Sequence, residues 1–541
     1  MFKKFFNKSS SITSAAAVIA AAGLLSRLLG VLRDRVLASR FGAGDALDIY
    51  YAAFQFPDLI FNLLILGALS AGFIPLFVEL LRDEEKLNFK DNRPAWNFVN
   101  NILNILGVCL IVSGALLALF APFLVSKIAP GFSPEKLAAT ANLTRLMFLS
   151  PVLLGLSAVF GGILQSFKRF LVFSLAPVLY NLGIIIGALF FTDIWGVYGL
   201  AAGVILGAAM HLAVQIPAAR NLGWRYKFVW LPTNNNFLRL LKMTGPRVLS
   251  MATNQLNLIV ITILASTLTA GSLAIFNLAN NLQSFPLGIF GISFAVAAFP
   301  TLSQYFAKKD FHEFNRIFIK TFKQIMFFII PFSVALIILR IQVVRIILGS
   351  GKFDWSDTVL TANSLGIFAM SLFAQSLVPL LTRSFYAAKN TLVPFIISFA
   401  SVAVNLILSL YLIRKIGVLG LAVGFSVAAI VNFVLSFVML KIKIEEIGQQ
   451  GIIRSLFKIS VASLAMGVVI QQVKSWIGSF SDLNTFGEIL MQGAFSAIAG
   501  AIVFLLVGYF LKIEELSILI ASLRARLLKR VRVKDESIIE K

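Results

Sequence analysis

The chain has 541 residues, 59% of them hydrophobic and only 13% charged, with a formal net charge of +23. That balance excludes a soluble domain and describes a polytopic membrane protein, with no soluble module on which the positive charge could form a nucleic-acid surface. The single cysteine, Cys109, excludes an intrachain disulfide and, inside an apolar run, reads as a small packing residue.

Apolar runs of about 20 residues, each long enough to cross a bilayer, predict an all-α fold with fourteen transmembrane helices. The first, centred near Ala21, follows Lys3, Lys4 and Lys8. Its basic and then apolar start has the parts of a signal peptide, but the charged segment beyond it offers no clear cleavage site, so it reads as a retained span. Thirteen more follow, from one centred near Leu64 to one centred near Val503. Lys and Arg concentrate in alternate loops, among them Arg82 to Arg93, Arg220 to Lys242, Lys308 to Lys323 and Lys441 to Lys458. Both termini are therefore expected in the cytoplasm. Arg33, Arg35 and Arg40 run against that trend, on the opposite side. After the last span, "KIEELSILIASLRARLLKRVRV" places Ile and Leu at helical spacing opposite Arg and Lys, as an interfacial helix does.

The sequence repeats itself. "LASRFGAGDALDIYYAA", from Leu37, aligns with "LASTLTAGSLAIFNLAN", from Leu264, and "GVYGLAAGVILGAA", from Gly196, with "GVLGLAVGFSVAA", from Gly417. With six spans per copy, the two copies run in the same direction and would be related by an axis along the membrane normal, as in transporters that open alternately to each side. Recurrent Gly and Ala in the helix contacts of any membrane protein are the bland alternative, and two blocks matching in the same order weigh against it. The expected division is 1–230 for the first six-helix lobe, 231–447 for the second, 448–512 for two additional helices, and 513–541 for a basic amphipathic tail.

Ionised residues at mid-membrane cost about 2.5–3.5 kcal/mol each on insertion scales, so each needs a paired or water-filled setting. Arg27 and Asp34 lie seven residues apart and share a helix face. Arg33 is near enough to the outer end either to snorkel or to join Arg27 at a cavity. Two guanidiniums facing inward would suit a phosphate. Arg145, in the fourth span, and Arg247, after "TGP", are the other near-membrane cations; a broken helix start would turn Arg247 into the cleft, although an interfacial snorkel is the commoner fate. Amides recur at Asn181, Asn254, Gln255, Asn257, Asn277, Asn280, Asn281, Gln283 and Asn405, and commonly join helices. His211 and His312 are far apart, and His211 reads as a structural hydrogen-bonding residue. No metal-ligand cluster or Walker sequence is evident, so neither a metal nor a cofactor is expected.

"SRLLGVLRDRVLASRFGAGDALD", followed by "FQFPDLIFNLLILGALSAGFIPLF", resembles the signature of the MurJ (MviN) family, the lipid II flippases of bacterial peptidoglycan synthesis within the MOP exporter superfamily. The likeness continues through "LQSFKRFLVFSLAPVLYNLG", "FPLGIFGISFAVAAFPTLS", "GKFDWSD" and "SFYAAKNTLVPF". The resemblance implies fourteen spans in two six-helix lobes around a central cationic cavity, with two extra helices forming a groove for a lipid tail. It implies a non-enzymatic flippase of the bacterial inner membrane, moving undecaprenyl-pyrophosphate-linked precursor outward by alternating access among membrane lipids and cell-wall synthesis proteins. The family's charged residues match Arg27, Arg33 and Asp34, and its acidic loop residue matches Asp48. Elsewhere the chain departs: Phe61 and Asn62 stand where relatives carry an arginine, Asn281 replaces the arginine of "ADRL", and Ser409, near Asn405, stands where some members place an acidic sodium ligand. Arg247 or Arg145 would then supply the missing charge. The competing readings are a polysaccharide-lipid or multidrug exporter of the same superfamily and, from other classes, a membrane glycosyltransferase or a non-transporting scaffold of wall synthesis.

Overall fold

The computed structural model describes residues 12–87, 93–444, 451–480 and 485–521. The basic amino-terminal residues Lys3, Lys4 and Lys8 and the tail beyond residue 521 lie outside them. Among the described residues there are helices and no strands.

In chain order the helices are α1 (Ile12–Phe41), α2 (Asp45–Ile60), α3 (Gly67–Leu87), α4 (Pro94–Leu119), α5 (Ala121–Ile128), α6 (Pro134–Met147) and α7 (Leu149–Ser166). They continue with α8 (Phe170–Ile186), α9 (Thr192–Trp195), α10 (Tyr198–Ala213), α11 (Gln215–Asn221), α12 (Asn235–Ser266), α13 (Ser272–Pro286) and α14 (Ser293–Ala307). The last are α15 (Phe311–Ile347), α16 (Trp355–Ala387), α17 (Leu392–Ile416), α18 (Val418–Lys443), α19 (Ile452–Gly478) and α20 (Phe486–Phe510). Eleven helical stretches among the described residues are long and apolar enough to cross a membrane.

Local chemistry sets several helix starts. Ser133 accepts the Lys136 amide at 3.3 Å, with Pro134 at the first helical position of α6. Asp354 accepts the Asp357 amide at 2.8 Å and the Ser356 hydroxyl at 2.9 Å at the start of α16. Thr485 and Glu488 form a reciprocal capping box on α20.

The internal repeat extends to an irregularity of the backbone. Between α2 and α3 the helix widens to π geometry over Phe61–Leu66, and between α13 and α14 it does so over Leu287–Ile292. Each π segment follows the aligned "AG" pair by a nearly equal length, so the two copies share a widened turn as well as letters. Such widenings release backbone groups and concentrate at functional sites.

Packing forms two compact units: Met1–Leu278 with Ile347–Leu360 and Val402–Gly424, and Ala279–Ile346 with Thr361–Ser401 and Phe425–Lys541. In the first, aromatic rings dominate the core, with Phe73 stacked on Phe77 and Phe98, and Trp96 stacked on Phe167. Because lipid is as apolar as leucine, helices here associate through close contact rather than water exclusion. A Cβ on Gly183 or Gly187 of the α8 span would collide with the backbone of Gly207 or Gly203 on α10. In the second unit α19 and α20 pack on α15 through Phe327, Leu339, Ile459, Met466, Ile470 and Phe504. A buried Gln342 to Gln492 hydrogen bond of 2.8 Å ties α15 to α20.

Cys109 is exposed on α4, beside the exposed Val108, Ile111 and Val112. Its apolar run faces outward there, which corrects the expectation of a packing residue.

Candidate functional site

Polar side chains gather in the first unit around α1. Arg33 is half-buried and forks onto the buried Asp34: its Nε and Nη2 donate to Asp34 Oδ1 at 3.0 and 2.8 Å. Its Nη1 donates to Asn181 Oδ1, on α8, at 3.1 Å. Asn181 in turn donates through Nδ2 to the Ser26 carbonyl at 3.3 Å, beside Arg27. Arg33 therefore does not snorkel; three donors are fixed by a carboxylate and an amide, and its plane is set by them. Arg27, half-buried, lies on the Asp34 face of the same helix.

Sequence reasoning missed three residues of this cluster. Tyr50, Tyr51 and Asp58, all on α2, lie within electrostatic reach of Arg33. Asp58 is solvent-exposed at the start of the turn that leads into the π segment, and the Tyr51 hydroxyl is buried without a hydrogen-bond partner among the described residues. The signal was available in "IYYAAFQFPDLIF", where a Pro-Asp pair sits inside an apolar run downstream of Asp48. The cluster thus offers a fixed guanidinium, an unpaired hydroxyl and an accessible carboxylate, groups that recognise an anion carrying neighbouring donors.

Asp48 has a different setting. It is buried, and takes the Gly271 amide at 2.8 Å, the Ala274 amide at 2.9 Å and the Lys136 ammonium at 2.8 Å. Lys136 also pairs with Asp45 at 2.6 Å and lies 4.0 Å over the Phe132 ring. Asp48 thereby caps α13 with a full negative charge. The aligned serines of the repeat frame the same junction: the Ser39 carbonyl accepts the Lys352 amide at 2.8 Å, and Ser266 Oγ accepts the Gly131 amide at 3.3 Å. Asp357 Oδ2 adds a bond from the Ala43 amide at 2.9 Å. The ends of α1 and α12 are thus each clasped by a loop of the other copy of the repeat. Lys136, central to this, was also missed; its signal was the "SPEK" cap.

The remaining expectations resolve one by one. Arg145 is exposed on α6, donating to the Ala118 carbonyl at 3.1 Å and to Asn142 at 2.9 Å. It satisfies the carboxyl end of α4 and is not brought to Arg33. Arg247 falls on α12 in a stretch whose side chains lie outside those described. That helix begins at Asn235 and continues through Pro246, so the expected break at "TGP" is absent. Asn281, half-buried on α13, belongs to the second unit. His211 bonds Ser157 through Nδ1 at 2.7 Å within a Ser157, His211 and Gln215 cluster, the structural role expected of it. Where relatives were expected to hold sodium, Asn405 donates to Asn257 at 2.6 Å and Ser409 to Asn405 at 3.0 Å. Those neutral groups satisfy one another and do not fit a cation site, which favours anionic oxygen ligands.

Residues 37–490 match the family model for the lipid II flippase MurJ. A probable lipid II flippase MurJ from Thermotoga maritima is 31% identical over 91% of this chain and 95% of its own length. One from Buchnera aphidicola subsp. Acyrthosiphon pisum is 30% identical over 91% and 96%. Among solved structures, a lipid II flippase MurJ in an inward closed conformation matches with a TM-score of 0.76 at 25% identity, covering 92% of this chain and 99% of that one. An inward-facing multidrug resistance MATE family transporter of the MOP superfamily matches with a TM-score of 0.64 at 14% identity over 81% and 99%, a likeness of fold.

Proposed function

The chain belongs to the lipid II flippase MurJ family, and from that premise we propose how its residues carry lipid II from the inner to the outer leaflet of the bacterial inner membrane. The protein is a multi-pass lipid II flippase of peptidoglycan synthesis. The observation that carries the residue-level reading is the Arg33 fork, held at 2.8 Å by Asp34 and 3.1 Å by Asn181 inside an apolar helix.

In this reading α1, the α2–α3 span and α12 join the eleven apolar stretches to make fourteen spans, with both termini cytoplasmic. Residues 1–230 and 231–447 form two parallel lobes flanking a central cavity, and 448–512 form the groove that keeps the polyprenyl tail in lipid. Arg33 and Arg27 take the pyrophosphate, Asp34 orients Arg33, and Arg247 and Asn281 contribute from the second lobe. Arg145 is left as a helix-capping residue. The work is binding and release rather than bond chemistry. Membrane potential, worth about 2.3 kcal/mol per charge per 100 mV, is one source of direction.

Asp48 acts at the other end of the cycle. Its bonds to Gly271 and Ala274 join the two copies of the repeat on the periplasmic side, so outward opening must break them. The substrate returns that cost through its contacts with the outward-facing state, as any ligand-driven population shift requires. Cell-wall synthesis proteins are the expected consumers of the flipped lipid.

The test is conditional depletion in a strain with no second flippase, complemented with Arg33→Ala or wild type, followed by labelling of lipid II on the outer leaflet. Wild-type complementation restores exposure and Arg33→Ala does not. Equal restoration by both would remove Arg33 from the site.

A further inference from the structure

A polar cavity lies far along the chain from α1 and has no part in the cycle above. Within the second unit, the first turns of α15 and the short helix over 514–521 bound a cavity of about 400 Å³ lined by Arg316, Lys320, Lys323, Glu514, Glu515 and Ile518. Its charges are mixed. Lys323 reaches Glu514 at 3.3 Å and one Arg316 nitrogen pairs with Glu313 at 2.6 Å, leaving the other guanidinium donors of Arg316 to the cavity, while Lys320 is exposed with no ion-pair or hydrogen-bond partner among the described residues. Glu515 is only 6% exposed. One of its oxygens accepts the Ser455 hydroxyl at 3.0 Å; the other, Oε2, is buried with no partner among the described residues. A buried carboxylate oxygen lacking a donor is costly, and a positively charged N–H group brought to it removes that cost.

The cavity stands where a membrane surface would be. α15 has 37 residues, about 55 Å of helix against roughly 30 Å of hydrocarbon, so its basic first turns extend past the apolar segment. The 514–521 helix follows the last span directly and exposes Ile518 and Ile520, as an interfacial helix does.

We propose that this cavity binds the headgroup of a zwitterionic aminophospholipid, with the phosphate on Arg316 and Lys320 and the ammonium against Glu515. A headgroup with phosphate alone meets Glu514 and Glu515 as like charges. A choline headgroup has the right charges but no N–H to give Glu515 Oε2. The match to both ends distinguishes phosphatidylethanolamine from phosphatidylglycerol and phosphatidylcholine.

The experiment is native mass spectrometry of the purified full chain equilibrated with equal amounts of those three lipids of identical acyl composition. Phosphatidylethanolamine should be retained roughly tenfold over phosphatidylcholine, the ratio expected of one charge-assisted hydrogen bond. Glu515→Gln should abolish that preference, and Lys320→Ala, at an exposed position that leaves folding intact, should lower phosphatidylethanolamine retention. Equal retention of the ethanolamine and choline lipids by the wild type overturns the assignment. So does a preference for phosphatidylglycerol, or a wild-type pattern in Lys320→Ala.

Discussion

Asp48 and Gly271 are 223 residues apart and are joined by a 2.8 Å hydrogen bond from the glycine amide to the carboxylate. Gly271 occupies the equivalent of Gly44 in the aligned repeat, so the bond links the first copy to the start of the second. Its backbone has φ near +87°, and a Cβ there would overlap the Ala43 carbonyl. A left-handed residue costs about 1–2 kcal/mol without the glycine, and the overlap adds to it. Gly271→Ala should therefore lower thermal stability in detergent and impair complementation. A wild-type melting curve for Gly271→Ala would mean that the junction is looser than described.

Asp48→Ala tests the same junction from the other side. It strips the acceptor from two buried amides and one of two carboxylates from Lys136, a loss on the order of 3 kcal/mol or more. The expected result is a strong drop in stability with weak function. The Asp193→Ala variant is the contrast. Asp193 pairs with Arg40 at 2.8 Å, but both side chains are largely exposed, so its removal should change stability by less than about 1 kcal/mol.

Arg33→Lys should fail to replace Arg33. The guanidinium serves Asp34 through two nitrogens and Asn181 through a third, and an ammonium cannot span that fork. Retention of charge with loss of flipping would identify geometry as the requirement. Flipping at the wild-type rate would show that any cation suffices there.

Asp354 gives a pH prediction. Its carboxyl is held below the ordinary aspartate value by the Asp357 amide and then by the Ser356 hydroxyl at the start of α16. A lowered folded value means that the carboxylate adds stability above the unfolded value, near 3.9, and loses it as pH falls through the folded value. Asp354→Ala should cost about 1 kcal/mol at neutral pH, with the difference from wild type shrinking below about pH 4 in thermal melts. A difference that persists unchanged at pH 3 would exclude the carboxylate as the source.

The all-helical architecture, eleven of the apolar spans and the polar face of α1 were legible because each leaves a linear trace: apolar length and charges at helical spacing. The face shared by Arg27 and Asp34 was legible from their spacing, whereas the fork of the adjacent Arg33 onto Asp34 was not. What joins distant segments left no such trace. The roles of Asn181 and Lys136 depend on which helix each meets, and the repeat alignment pairs Asp48 with Ile275, giving no hint that Asp48 caps α13. The expected break at Arg247 failed because Gly245 and Pro246 fall inside a helix already initiated at Asn235, where neighbouring helices tolerate proline. Cys109 misled because an apolar run has two faces, and only packing tells which one meets lipid.

The most direct measurement is lipid II flipping in vesicles containing the purified protein, read as the fraction of labelled substrate accessible from outside, for wild type and Arg33→Ala. The account predicts a time-dependent rise for wild type and a rate at least about tenfold lower, ~1.4 kcal/mol, for Arg33→Ala with its folding intact. An equal rate in both would contradict the placement of the substrate on the Arg33 fork, and no rise in either would contradict transport itself.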